Sequence, residues 1–246
     1  MTDQGSAPEA TSNGRFASRS DYYGWNEEMI RRYDPANYYR FSIIRLLEGA
    51  RFRHILKTLQ RFSATGRFLE VGCGHGFMLS HVARAGHFRM CVGADISKPS
   101  LLEARSRVGR TPLAQADGEY LGFRAGAFDA VCLTEVIEHV PDQVAVLREA
   151  SRMLAPGGVL VVTAPNERLL DSLKTVVYGL RLDRVLFWHY RPSERMAEEW
   201  HLHAMSRRSL REVILRAGLS PVRWVRLPFW FLPMRNLAVC IAEGSK

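Results

Sequence analysis

The stretch that most narrows the possible folds is Glu70-Val-Gly72-Cys-Gly74-His-Gly76. A short apolar run, Arg67-Phe-Leu-Glu-Val71, leads into it, and a helically periodic stretch over 77–86 leaves it. Closely spaced glycines let a backbone turn sharply and approach a ligand without side chains between them. The helix that follows aims its first N–H groups into the same space. The segment therefore predicts a strand, a tight turn and a helix arranged to hold a ligand against the main chain.

The same rhythm repeats downstream. Met90-Cys-Val-Gly-Ala-Asp95, Phe128-Asp-Ala-Val-Cys-Leu133 and Gly158-Val-Leu-Val-Val-Thr-Ala164 are further apolar runs. Such runs suit parallel strands covered on both faces. Helical patterns occupy 99–109, the stretch after Asp142, and 206–217, with Asp142 and Ser206 as candidate N-caps. The alternation predicts a doubly wound α/β fold. Val222–Leu227 and Leu237–Ala242 read as a closing strand pair. A helix is expected around Tyr38–Arg61, and residues 1–20 read as a disordered tail. Asp95 ends the second strand 19 residues after Gly76, where an acid can accept from two ribose hydroxyls. Asp117-Gly118 follows the third strand, where a carboxylate can take an adenine amino group.

The formal net charge is +9. It is +3 over residues 1–66, −1 over 67–167 and +7 over 168–235. An acidic partner is implied at the flanks rather than at the central core. Cys73, Cys91, Cys132 and Cys240 are widely spaced with no Cys-x-x-Cys, which suits reduced thiols in a cytoplasmic protein. No signal peptide and no run of about 18 apolar residues is evident.

Leu69-Glu-Val-Gly-Cys-Gly-His-Gly, Asp95, Gln115-Ala-Asp-Gly, Phe128-Asp-Ala-Val and Leu154-Ala-Pro-Gly-Gly resemble the ordered motifs of class I S-adenosylmethionine-dependent methyltransferases. A nicotinamide dehydrogenase has Gly-x-Gly-x-x-Gly instead, and residue 77 here is Phe. The resemblance spans about residues 65–220. It implies a Rossmann-like, seven-stranded, mostly parallel sheet with helices on both faces, and S-adenosylmethionine as methyl donor. In these terms 21–246 form one domain. It comprises a helical cap (21–66), a cofactor-binding core (67–166), a lid insert (167–200) and a closing helix and strand pair (201–246). Glu70, Gly72, Cys73, Gly74 and Gly76 are expected to hold the methionine portion, Asp95 and Ile96 the ribose, and Asp117 and Gly118 the adenine. Thr134 and Glu135 are expected to line the methyl-transfer face.

The fourth strand runs into Thr134-Glu135-Val-Ile-Glu138-His139. If this is a helical turn, Glu135, Glu138 and His139 share one face. Two carboxylates and an imidazole suit a hard metal ion or acid/base work. His139, with Glu138 beside it, is the candidate base for an acceptor hydroxyl. Glu-x-x-Glu-His also resembles the metal-binding motif of ubiquinone-synthesis O-methyltransferases and of RNA 3′-terminal 2′-O-methyltransferases. That resemblance implies Mg²⁺ on Glu135, Glu138 and His139, with a further ligand from Trp200-His201-Leu-His203.

Between residues 168 and 190, leucines and valines at helical spacing alternate with Arg168, Lys174, Arg181 and Arg184, followed by Phe187 and Trp188. This pattern fits either a lid over the acceptor or an interfacial helix. Arg226-Leu-Pro-Phe-Trp-Phe-Leu-Pro-Met-Arg235 is a second aromatic-basic stretch, read as the connection between the last two strands and a second possible membrane contact. Mixed apolar and basic residues favour a small lipophilic acceptor, met at or near a membrane surface, over RNA. A 2′-O-methyltransferase of RNA and a non-catalytic binding protein are the alternatives.

Overall fold

Seven strands form one sheet in the order β3-β2-β1-β4-β5-β7-β6. The computed structural model describes residues 15–33, 42–63, 65–181, 199–229 and 231–242. In chain order the elements are α1 (Arg19–Tyr33), α2 (Ser42–Phe62), β1 (Arg67–Val71), α3 (Phe77–Arg84), β2 (Met90–Asp95), α4 (Lys98–Val108) and β3 (Leu113–Gln115). There follow β4 (Phe128–Thr134), α5 (Gln143–Met153), β5 (Leu154–Pro165), α6 (Glu167–Gly179), α7 (Arg207–Arg216), β6 (Pro221–Phe229) and β7 (Leu232–Ile241). β1 to β5 pair in parallel. β7 inserts antiparallel between β5 and β6. The expected Rossmann-like α/β sheet is what the chain forms.

The apolar runs become central strands because both their faces are covered. One buried cluster joins Leu69, Val131, Leu133, Leu160 and Val162 to Leu147 and Met153 of α5 and Leu210 and Ile214 of α7. The other joins Phe68, Cys132, Val159 and Val161 to Ile55 and Leu59 of α2 and Leu79 and Val82 of α3. The four thiols are free and buried. Strand order reverses between β1 and β4, and the crevice at the carboxyl ends there is where an open α/β sheet receives its ligand.

Local signals set the helix starts. The Asp142 carboxylate accepts from Val144 N and Ala145 N, and Ser206 forms a capping box with Ser209. Both caps fall where the spacing placed them.

Two features differ from expectation. Structure begins inside the expected tail: Phe16 is buried and α1 starts at Arg19; residues 1–14 lie outside the described residues. The stretch 226–235 is mostly strand rather than a connection. Arg226–Phe229 and Leu232–Arg235 pair across a tight hairpin, with Phe229 and Phe231 stacked at 5.3 Å. Of the insert, α6 is described as a helix, whereas Leu182, Arg184, Val185, Leu186, Phe187, Trp188 and Arg191 lie outside the described residues. Among the described residues no helix is long and apolar enough to cross a membrane.

Gly93 of β2 shows how closely the glycine turn is packed. A Cβ there would lie 2.6 Å from Leu79 Cδ2 and 2.9 Å from Cys73 Sγ. Gly93→Ala is expected to destabilise the fold by about 1–3 kcal/mol, the usual range for overpacking. Urea unfolding measures it, and an unchanged midpoint would show that the turn yields freely.

Candidate functional site

The glycine turn carries Gly72, Gly74 and Gly76 at φ of 69°, 48° and 76°, a backbone region that residues with a Cβ seldom adopt. At Gly72 a Cβ would also strike Val136 Cγ2 at 2.3 Å, whereas at Gly74 it would meet nothing within 4 Å. The loop is thus packed on one side and open on the other. Cys73 is buried, and burial pushes its thiol far up; it packs rather than reacts. Asp95 steadies the loop through its side chain, accepting from Gly74 N at 2.7 Å and from Ser97 N at 2.8 Å. Ile96 carbonyl accepts from Gln115 Nε2.

Glu70, next to last in β1, is 1% exposed. Its Oε1 accepts from Thr134 Oγ1 at 3.0 Å, while Oε2 is buried without a hydrogen-bond partner. Burial raises its pKa to about 8, against the opposing effects of Thr134 and Arg51. Arg51, on α2, is 5% exposed, and its Nε and Nη1 make no hydrogen bond. A buried acid and a buried guanidinium, each with unused hydrogen-bonding capacity, thus act on one another beside the glycine turn.

Asp117 is gripped by α1. Its Oδ2 receives Arg19 Nη1 at 2.6 Å and Tyr23 Oη at 2.9 Å, and its Oδ1 receives Glu119 N. Arg19 also pairs with Glu119 and lies over the Tyr120 ring at 4.9 Å. Gly118 packs near Val146. These contacts span about a hundred residues of sequence, and nothing in the local pattern around Arg19 announces them.

Past β4 the chain does not continue as a helix. Glu135 sits at φ 57°, and a turn at 137–139 follows. Glu135 consequently parts from Glu138 and His139. Glu135 is taken by Arg235 Nε at 2.6 Å and by Thr163 Oγ1 at 2.9 Å, with Arg51 Nη1 at 3.7 Å. Arg235 and Arg51 both also pair with Glu48. Burial alone would raise the Glu135 pKa, but the two guanidiniums hold it below the usual carboxylate range. Glu138 is 1% exposed and its Oε2 has no partner. Burial, then the charge of Glu135, pushes it well above that range.

His139 is oriented by Trp200, whose carbonyl lies 3.1 Å from Nδ1. A carbonyl only accepts, so Nδ1 carries the proton and Nε2 keeps its lone pair. Desolvation, with His201 nearby, lowers the pKa of His139 to about 3. His201 Nδ1 meets Glu167 Oε1 at 2.7 Å, which leaves its Nε2 open. His203 turns away and donates Nε2–H to Val140 carbonyl. The segment 200–203 is pinned to the turn by Leu202 N and His203 N on the Glu138 carbonyl. Glu138, His139 and His201 bring one ligand atom each within 4.8 Å of one another.

Of the four residues expected to share a metal, three therefore gather and Glu135 does not, because two arginines neutralise it elsewhere. The donor set also departs from the expected Mg²⁺, which prefers oxygen; two imidazole nitrogens and one carboxylate suit Zn²⁺, Mn²⁺ or Fe²⁺ better. The supporting residues Arg19, Tyr23, Arg51, Glu167 and Arg235 were not legible as site residues, since each acts across a long sequence separation.

Comparison with known proteins identifies the family. The family described as Methyltransferase domain matches residues 45–223. A ubiquinone biosynthesis O-methyltransferase of Cereibacter sphaeroides is 30% identical over 189 residues, covering 73% of this chain and 72% of that protein. One from Xanthomonas oryzae is 34% identical over 144 residues, covering 55% and 59%. Among solved structures, the N-methyltransferase NodS of Bradyrhizobium japonicum with S-adenosyl-L-homocysteine superposes with a TM-score of 0.61 at 19% identity, covering 90% and 98%. A Haloferax volcanii methyltransferase in complex with the Trm112 activator gives 0.65 at 16%, covering 88% and 99%. With a sheet, a glycine turn and a family match that agree, the chain belongs to the S-adenosylmethionine-dependent methyltransferases.

Proposed function

We propose that the chain moves a methyl group from S-adenosylmethionine to a hydroxyl oxygen of a small lipophilic acceptor. The observation that carries this reading is the pairing of two half-satisfied sites at the carboxyl end of the sheet: Glu70 with Arg51, and Glu138 with His139 and His201. The relatives named O-methyltransferases support the oxygen acceptor.

The cofactor's amino-acid end carries an ammonium and a carboxylate. Glu70 Oε2 and the unbonded Nε of Arg51 suit them in charge and burial. Gly72, Cys73, Gly74 and Gly76 then supply the backbone floor, with Asp95 and Ile96 beside the ribose. Asp117 and Gly118 lie at the adenine, under the cover of α1 and Arg19. Thr134 stays at the methyl-transfer face, holding Glu70 in place.

In the transfer, the acceptor oxygen attacks the methyl carbon, the carbon–sulfur bond breaks and the hydroxyl proton leaves. His139 alone is a poor match for that proton, because a conjugate acid near pKa 3 binds it weakly. Its fixed tautomer instead presents Nε2 as a ligand, as does His201 braced by Glu167, the carboxylate–histidine arrangement that orients metal ligands. A divalent transition ion held there would act as a Lewis acid and lower the pKa of an acceptor hydroxyl. Glu138 supplies the carboxylate, and Arg51 and Arg235 keep Glu135 from competing for the cation. α6, on the acceptor side after Asn166, is the lid in this reading.

Two outcomes follow. Glu70 is mostly protonated in the free protein at neutral pH, and a bound ammonium favours its charged form. Binding of S-adenosylhomocysteine near pH 7 should release about one proton. Affinity should rise from pH about 5.5 to about 7 by up to about tenfold per unit, below the titration of the ligand's own amine. Calorimetry in buffers of different ionisation enthalpy reads the proton, and Glu70→Gln should abolish its release; proton release unchanged in that variant would remove Glu70 from the cofactor site. Secondly, methyl transfer from labelled S-adenosylmethionine to a polyprenylated phenol should fall at least about tenfold after chelation. It should recover with Mn²⁺ or Zn²⁺ but not in His201→Ala. Full activity in chelator would reject the metal, and labelling of amines but not phenols would reject the oxygen acceptor.

A further inference from the structure

β6 is the free edge of the sheet, bonded only to β7. A cavity of about 430 Å³ runs beside it, lined by His54, Arg207, Arg223, Trp224, Arg226 and Asn236 together with apolar side chains. No acidic residue lines it. Cross-strand pairing sets Trp224 opposite Ala238 and Arg226 opposite Asn236. Trp224 and Arg226, two residues apart on a strand, thus share a face with Asn236. Trp224 and Ala238 both belong to the cluster that contains Leu210 and Ile214 of α7. Arg207, the first residue of α7, lays its guanidinium over the Trp224 indole at 5.1 Å. A stacked guanidinium keeps its in-plane N–H groups for other partners.

Two observations point to a ligand. Among the described residues no carboxylate pairs with Arg207, Arg223 or Arg226, whereas Arg19, Arg51, Arg152, Arg208 and Arg235 each have one. Asn236 is 5% exposed and its Nδ2 is buried without an acceptor. Buried donors are ordinarily bonded, and here the surroundings offer donors rather than acceptors. We propose that this cleft binds a phosphate-type oxyanion, with the Arg207 and Arg226 guanidiniums and Asn236 Nδ2 as donors. Planar N–H forks fit the edge of such an anion. The site is separate from the cofactor loop. Asn236 pairs with Ala164 near the end of β5, and its neighbour Arg235 holds Glu135. The anion accordingly sits two strands from β4, at the acceptor end of the sheet.

The phosphate belongs either to a soluble ester or to a lipid headgroup, and the test separates the two. Inorganic pyrophosphate is titrated calorimetrically into the full chain. In parallel, the chain is sedimented with phosphatidylcholine vesicles that contain or lack phosphatidic acid. Saturable pyrophosphate binding is expected, weakened about tenfold or more in Arg226→Gln and Asn236→Ala. S-adenosylhomocysteine affinity should not change in these variants, which shows that they fold. Arg208→Gln, an exposed charge elsewhere on α7, should have no effect. Binding to acidic vesicles alone, lost in the same two variants, also supports the site and makes the headgroup its source. Absence of saturable binding in both arms overturns the proposal. So does a loss in Arg208→Gln equal to that in Arg226→Gln, which would mark a diffuse charge effect.

Discussion

Glu70 is a carboxyl group with one oxygen bonded to Thr134 and the other buried with nothing to accept. Water cannot reach it, so its charge is penalised and its proton is retained to about pH 8. The arrangement becomes favourable only when a cation arrives. Around it the fold sets the open side of a glycine turn, a guanidinium with unbonded nitrogens and the ends of β1 and β4. In the proposed reading, cofactor binding rests on that unfilled demand more than on any one of the expected contacts.

The acids beyond β4 show the same physics with opposite results. Glu135 lies against Arg235 and Arg51 and is held below the usual carboxylate range, whereas burial and the charge of Glu135 push Glu138, three residues on, well above it. Two carboxylates in one loop thereby take different roles: one braces α2 against β7, and one waits with two imidazoles for a ligand. Glu48 completes the bracing group, so two arginines and two glutamates balance one another in a buried position. Removing one member would leave a buried charge unmatched, which destabilises far more than the intact group stabilises.

Much of the architecture was readable because it depends on neighbours in sequence. Continuous apolar runs marked central strands, Asp142 and Ser206 marked helix starts, and the spacing of glycines marked the turn. What escaped depends on groups brought together from afar. α1 has little apolar periodicity and is held by Arg19 and Tyr23 on Asp117, about a hundred positions away. The aromatic segment near 230 was read as a connection; Pro228 and Pro233 nonetheless pair in the hairpin ladder, Pro228 on the edge strand β6 and Pro233 beyond the last β7 residue that pairs with β5, where missing donors are tolerated. The helical reading of 135–139 failed at a single residue, Glu135, whose left-handed backbone redirects its side chain to the arginines. His201 was legible because Trp200-His201-Leu-His203 lies just before a helix, and it is His201 rather than His203 that comes beside His139.

The most direct test of this account is the titration of the Glu70 carboxyl itself, followed by side-chain NMR with selectively labelled glutamate and assigned through Glu70→Gln. In the free protein the group should titrate near about 8. On saturation with S-adenosylhomocysteine its resonance should move to the ionised position at neutral pH. An ordinary carboxylate titration in the free protein, or a resonance that ignores the ligand, would contradict the claim that this buried acid is the anchor of the cofactor site.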